Sequence, residues 1–240
     1  DIALVGKYVE LPDAYKSIIE SYVHAGAMND CKVKLHLIAA EKVTPDTAEE
    51  LLGNMNGIMV APGSGNRGID GKLTAVKYAR ENNVPFFGVC LGMQCAVIEF
   101  ARNVLGYEKA NSTEMEMTPH PVVDLMEAQK GLSEGSSMRR GSYACHLDPH
   151  SKVCRAYNAT TIAERHHHRY EFNNDYLEEF EAAGMRAVGM NPETGLVEVM
   201  ELDNHPWFVA TQYHPEYSSN VLNPHPLFVA FVGASLANQK

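Results

Sequence analysis

Short apolar runs and helical periodicities take turns along the first hundred residues. IALVG (2–6) precedes a helical pattern near 13–24, and KVKLHLIAA (32–40) precedes another near 45–53. GIMVAP (57–62) is followed by a third pattern from Asp70 to Glu81, and VPFFGV (84–89) by a fourth that starts within three residues. Such alternation predicts parallel strands joined by right-handed crossovers, hence an α/β fold with a doubly wound, mostly parallel sheet and flanking helices. The last third has a different rhythm. TTIAERHHHRYEF (160–172), a hairpin over MRAVGMNPETGLVEVMEL (185–202) turning at Asn191–Gly195, and WFVATQYHPEYSS (207–219) predict additional antiparallel strands, before a closing helix from Pro226. From Asn111 to Pro149 the pattern loosens into Pro, Gly, Ser and Met and reads as a surface excursion on a single domain.

In open parallel sheets ligands bind at the carboxyl ends of the strands. Three of those ends carry Gly6-Lys7, Pro62-Gly63-Ser64-Gly65 and Gly88-Val89-Cys90. Composition narrows the rest: 240 residues, 45% hydrophobic and 21% charged, suit one α/β core, and no apolar run reaches the length of about 18 residues that a membrane span needs. A cytoplasmic location is expected. The formal charge of −10, without a basic run, disfavours nucleic acid as a partner. Five cysteines without C-x-x-C spacing argue against a disulfide framework or a zinc site. The chain begins at Asp1 directly before a strand, as a piece of a longer polypeptide would.

The fourth strand runs into a helix through Gly88-Val89-Cys90-Leu91-Gly92. A nucleophile on a sharp strand–turn–helix corner is held exposed, and flanking glycines let neighbouring backbone pass close by. At a helix amino terminus Cys90 faces unpaired N–H groups and the positive end of the dipole, which favour a thiolate. The Leu91 amide is a natural oxyanion donor, and the Gly63–Ser64 turn can supply a second if the strand ends adjoin. A lone cysteine is more often a small buried residue, so this reading needs a base. QYHPE, Gln212 to Glu216, supplies one: in an extended segment His214 and Glu216 share a face, and the carboxylate orients the imidazole. Three adjacent histidines, His166 to His168, invite a metal reading, but neighbours on a strand point to opposite faces and do not converge; no metal is expected.

The blocks GKYVELPDAYKSI (6–18), GVCLGMQ (88–94), NSTEM (111–115), MRRG (138–141), ERHHHRYEFNN (164–174) and HPWFVATQYHPEYSS (205–219) stand in the order found in CTP synthases, and the chain resembles their carboxyl-terminal class I glutamine amidotransferase domain nearly end to end. The resemblance implies a flavodoxin-like fold that hydrolyses L-glutamine to glutamate and ammonia through a γ-glutamyl thioester. It implies Cys90 as nucleophile, His214 as general base and acid, and Glu216 as its orienting carboxylate. Leu91 and Gly63 would form the oxyanion hole, and Gly63, Gln94, Glu114 and Arg169 would hold the substrate. It further implies no cofactor in this domain, and a synthetase domain elsewhere in the polypeptide that aminates UTP with ATP and Mg, GTP activating, in a tetramer.

Two departures stand out. PGSGNRG (Pro62–Gly68) replaces the family's usual Pro-Gly-Gly-Phe-Gly-x-Arg-Gly, one residue shorter and without the Phe, and His167 stands where arginine is usual. Two other readings follow: a γ-glutamyl hydrolase of the same fold, disfavoured by GKYVELPDAYKSI and HRYEFNN, and a non-catalytic docking module, favoured only by the short loop.

Overall fold

The computed structural model describes residues 1–239. In chain order the elements are β1 (Ile2–Gly6), α1 (Lys16–Met28), β2 (Leu35–Ala39), α2 (Ala48–Leu52), β3 (Gly57–Val60), α3 (Ile69–Glu81), β4 (Phe86–Val89) and α4 (Leu91–Asn103). Then follow β5 (Asn111–Ser112), β6 (Pro121–Asp124), α5 (Glu134–Ser137), β7 (Arg139–Leu147), α6 (Lys152–Tyr157), β8 (Thr161–His168), β9 (Glu171–Phe172) and α7 (Leu177–Ala182). The chain closes with β10 (Met185–Met190), β11 (Val197–Leu202), β12 (Phe208–Thr211) and α8 (Pro226–Ala237).

Among the described residues a nine-stranded sheet runs β2-β1-β3-β4-β12-β11-β10-β7-β8. The first five strands are parallel and the remaining neighbours antiparallel. β1, β3, β4 and β12 are buried along their whole length, which is why each is an unbroken apolar run. Successive residues feed opposite core layers. Val60, Phe86 and Ala210 pack with α3 and α4, while Met59, Phe87 and Val209 pack with Tyr22 of α1 and Phe228 and Phe231 of α8. Phe86 and Phe208 stack at 4.4 Å on one face, and Phe87 meets Trp207 edge-on at 5.6 Å on the other.

The expected mixed α/β sheet is present, with a longer antiparallel half than the pattern showed. β7 lies inside the stretch read as a surface excursion, yet it pairs with β8 over eight residues from Arg139↔His168 to His146↔Thr161. Its inward positions include Arg139, Gly141 and Tyr143, so apolar alternation does not mark it. The same stretch adds β5 and β6, which join β9 in a three-stranded sheet. The hairpin of β10 and β11 turns as expected: Asn191 Oδ1 accepts from the amides of Glu193 and Thr194, and Gly195 takes φ +70°.

Candidate active site

The carboxyl ends of β1, β3, β4 and β12 open into a cleft of about 650 Å³, lined among others by Tyr15, Gly63, Cys90, Gln94, Glu114, Arg169, His214 and Tyr217. Every polar residue expected to act there reaches it except Glu216, which stands behind His214, out of the lining.

Cys90 is the corner itself. It takes φ +55°, ψ −104°, a conformation that costs a non-glycine residue roughly 1–3 kcal/mol. Tertiary structure holds it there: its N–H donates to Thr211 O at 2.7 Å, and its carbonyl accepts from Met93 and Gln94 at 3.0 and 3.2 Å. The flanking glycines permit the close approach. A Cβ on Gly92 would stand 2.3 Å from Val60 O, and one on Gly88 would stand 2.8 Å from the Gly92 carbonyl. The corner thus fits only because α4 starts directly against β3.

His214 follows β12, its amide donating to Arg165 O at 2.8 Å, and its ring stacks on Tyr217 with centroids 5.0 Å apart. Nδ1 lies 2.5 Å from Glu216 Oε1. The pairing arises differently from the expected extended segment, because Pro215–Ser218 is a 3-10 turn that curls the carboxylate back beneath the ring. Proline suits both geometries through its fixed φ, so Pro215 did not discriminate between them. Burial alone pushes the imidazole toward neutrality; the Cys90 sulfur and Glu216 outweigh it and raise His214 to about 10. Cys90 Sγ has Gln212 Nε2 at 3.7 Å and His167 O at 4.0 Å.

Gly63 adjoins the start of α4: a Cβ placed on it would lie 3.7 Å from Leu91 Cδ2. The Pro62–Gly68 loop keeps that proximity through two left-handed glycines, Gly65 at φ +79° and Gly68 at φ +77°, and through Lys7 Nζ donating to Ser64 O at 2.8 Å. Beneath it lies Lys72, fully buried, whose Nζ would be 3.5 Å from that same Cβ and has no hydrogen-bond partner among the described residues. Burial holds this amine below the usual lysine range.

The two charges face the cleft from the far side. Burial raises the Glu114 carboxyl, while the Gly65 amide and the Arg169 charge oppose the shift. Arg169 Nε donates to Ser137 Oγ at 2.6 Å, so α5, also inside the supposed excursion, positions the guanidinium. Gln94 lines the cleft, but its Nε2 is occupied by Tyr170 O at 3.2 Å and Gln212 Oε1 at 3.4 Å. Its amide N–H groups therefore do not point freely at a ligand.

The three histidines divide as a strand requires, with His167 facing out while His166 and His168 turn inward. The three do not converge together, but the two inward rings, which the reading of adjacent positions did not pair, meet Glu198 of β11 closely enough to form a candidate metal cluster. His166 Nδ1 is 2.7 Å from His168 Nε2, and His166 Nε2 is 3.4 Å from Glu198 Oε2. Arg139 already supplies positive charge, bonding Glu171 at 2.9 Å and Glu198 at 3.1 Å. Sequence reasoning missed this network, Gln212 and Lys72; the one available signal was an arginine at an inward position of β7.

With this geometry in view, comparison defines the class. The sequence model of the class-I glutamine amidotransferases matches residues 10–234, and the chain belongs to that family. Within it, the chain groups with the glutaminase domain of CTP synthases: it is 57% identical over its full length to the CTP synthase of Flavobacterium johnsoniae and 58% identical over 98% of its length to that of Bacteroides fragilis. It covers 45% and 44% of those proteins, so the chain spans under half the length of these relatives. A solved structure of the Trypanosoma brucei CTPS glutaminase domain with bound acivicin superposes with a TM-score of 0.93 at 35% identity, over 98% of this chain and 93% of that one. The solved structure of a putative GMP synthase protein from Thermoplasma acidophilum shares the fold at 16% identity, with a TM-score of 0.60 over 98% of this chain and 94% of that one. Among the described residues no helix is long and apolar enough to cross a membrane.

Proposed function

We propose that this domain hydrolyses L-glutamine to glutamate and ammonia by covalent catalysis at Cys90. The observation that carries the reading is the strained Cys90 corner opening into one cleft with His214, itself held by Glu216, and with Glu114 and Arg169 across it. An amino acid needs a carboxylate for its ammonium group and a guanidinium for its carboxylate, and Glu114 and Arg169 supply them. The Cys90 thiolate adds to the side-chain amide carbon, and the oxygen takes the charge toward the amides of Leu91 and Gly63. His214, protonated at the outset, gives its proton to the leaving nitrogen as the C–N bond breaks, releasing ammonia and leaving a γ-glutamyl thioester. It then takes a proton from water, which adds to the thioester; collapse expels the thiolate and frees glutamate, and the imidazole is protonated again. Glu216 holds the ring throughout.

Ammonia formed here serves, on this reading, a synthetase domain in the same polypeptide that aminates UTP to CTP with ATP and Mg, in a cytoplasmic tetramer activated by GTP. The names of the relatives and the fraction of their length that this chain spans support it. The test is turnover of L-glutamine by this chain. Glutamate and ammonia should appear in a one-to-one ratio and vanish in Cys90→Ser; release that persists in that variant contradicts the mechanism.

A further inference from the structure

Gln212 follows the last residue of β12, is wholly buried, and approaches the sulfur of Cys90 with its side-chain nitrogen at 3.7 Å. Nothing in the reaction described above uses it. The direction of its amide is fixed by a chain of contacts that begins at a backbone carbonyl. Tyr170 O can only accept, so Gln94 must offer it the NH2 end, at 3.2 Å. The second proton of that NH2 group meets Gln212 Oε1 at 3.4 Å, which turns the Gln212 NH2 toward Cys90 Sγ. An amide is nearly symmetric in shape and its orientation is set by its partners. Here a single main-chain carbonyl orients two of them.

We propose that Gln212 is a catalytic residue for the reaction read above: its N–H donates to Cys90 Sγ and stabilises the thiolate, with Gln94 and the Tyr170 carbonyl forming the relay that aims it. A hydrogen bond to the charged form of a group favours that form, and in a buried site the effect is stronger than in water. The donor is neutral, so it offers no proton to the sulfur and holds the thiolate whichever protonation state His214 adopts. Once Sγ carries the acyl group its charge is gone, and this hydrogen bond weakens. Gln212 therefore acts on the free thiolate before attack and after deacylation, and leaves glutamine affinity largely to Glu114 and Arg169. The relay also gives Gln94 a positioning role that its place one turn beyond Cys90 on α4 did not suggest.

The test reads the sulfur directly. The rate of Cys90 alkylation by iodoacetamide, followed by peptide mass across pH, is compared in the unmodified chain, Gln212→Met, Gln212→Glu and Gln94→Met, alongside hydrolysis of L-glutamine. In Gln212→Met the acid limb of the alkylation profile should move up by about half a pH unit or more, roughly a threefold loss of thiolate at a given pH. Gln212→Glu, which sets a carboxylate against the sulfur, should move it further, and Gln94→Met should move it less, because Gln212 stays but can turn over. An unmoved limb in a folded Gln212→Met chain overturns the assignment. Alkylation needs no glutamine, so that failure is separate from failure of the functional reading, which shows as an unmodified chain releasing no glutamate. If Gln212→Met does not fold, the side-chain amide resonance of Gln212 in the unmodified chain keeps the question open to test. It should shift as the thiolate forms and stop responding once Cys90 is alkylated; a resonance indifferent to both overturns the proposal.

Discussion

His214 and the pair His166 and His168 are all buried against carboxylates, yet their surroundings drive them to opposite charge states. His214 rises to about 10, against its own burial, because the Cys90 sulfur and Glu216 offer negative charge. His166 falls to about 3 through burial first and then the nearby Arg139, and His168 lies well below the usual range through burial first, then His166 and Arg139. In that second cluster Arg139 has already claimed the carboxylates: burial raises Glu171 to about 8 and raises Glu198 as well, while the guanidinium opposes both shifts. A histidine beside a carboxylate is thus an acid in waiting only where no permanent cation holds the carboxylate first. The same side-chain types make a cationic imidazole at one end of β12 and neutral ones on β8.

The contrast between the two clusters can be broken from either side, and the largest effect belongs to the His214 side. Glu216→Gln removes the carboxylate that fixes the His214 ring, and glutamine turnover should fall about a thousandfold or more with little change in KM. A loss under tenfold in steady-state glutamate release would deny Glu216 its orienting role. Next comes Arg139→Met, which strands two buried carboxylates. Denaturant unfolding should show about 3 kcal/mol lost, and the ring protons of His166 and His168 should then titrate at higher pH. A loss below about 1 kcal/mol would mean the network does not depend on its arginine.

The pH dependence of stability sharpens the contrast. His214 is raised in the folded chain from an ordinary 6.5 to about 10, so its contribution is complete below 6.5 and is lost as pH rises toward 10. Glu171, held near 8 instead of 4.5, likewise costs stability as pH climbs from 4.5 to 8. His166 has the opposite sign: depressed from 6.5 to about 3, it contributes fully above 6.5, and that contribution drains away as pH falls toward 3. Unfolding free energy should therefore decline between pH 6.5 and 10. In Cys90→Ser, where the sulfur's charge is gone, that alkaline decline should flatten by up to about 1.4 kcal/mol per pH unit. An identical slope in both chains would remove the sulfur as the cause of the raised imidazole. The smallest effect is expected at Lys72, a buried ammonium without a partner among the described residues. Lys72→Met keeps its volume and removes its charge, and should stabilise the chain by about 1 kcal/mol in thermal unfolding. A loss of stability instead would mean that the amine makes a favourable interaction where it is buried.

How far the sequence could be read followed the same physics of burial. IALVG, GIMV and FFGV were legible as strands because both faces of each are covered, so nothing polar interrupts them. β7 was not, because Arg139 points inward and is made tolerable only by Glu171 and Glu198, distant in sequence. α6 and α7 span six residues each, too few for a helical period to show. At the site, Gly88-x-Cys90-x-Gly92 and His214-Pro215-Glu216 announced themselves by spacing. The extended geometry inferred for the latter was replaced by a 3-10 turn that reached the same contact. Gln212 and Lys72 left no mark, since a glutamine after a strand and a lysine on a helix are ordinary until tertiary structure sets them against Cys90 and Gly63.

The most direct test of covalent catalysis at Cys90 is the intact mass of this chain after exposure to a glutamine analogue carrying an electrophile at its side-chain carbonyl, with Cys90→Ser as control among five thiols. A single stoichiometric adduct is expected on the unmodified chain and none on Cys90→Ser. Labelling that is absent, or that is indifferent to the substitution, would contradict a glutamine-binding thiolate at this corner.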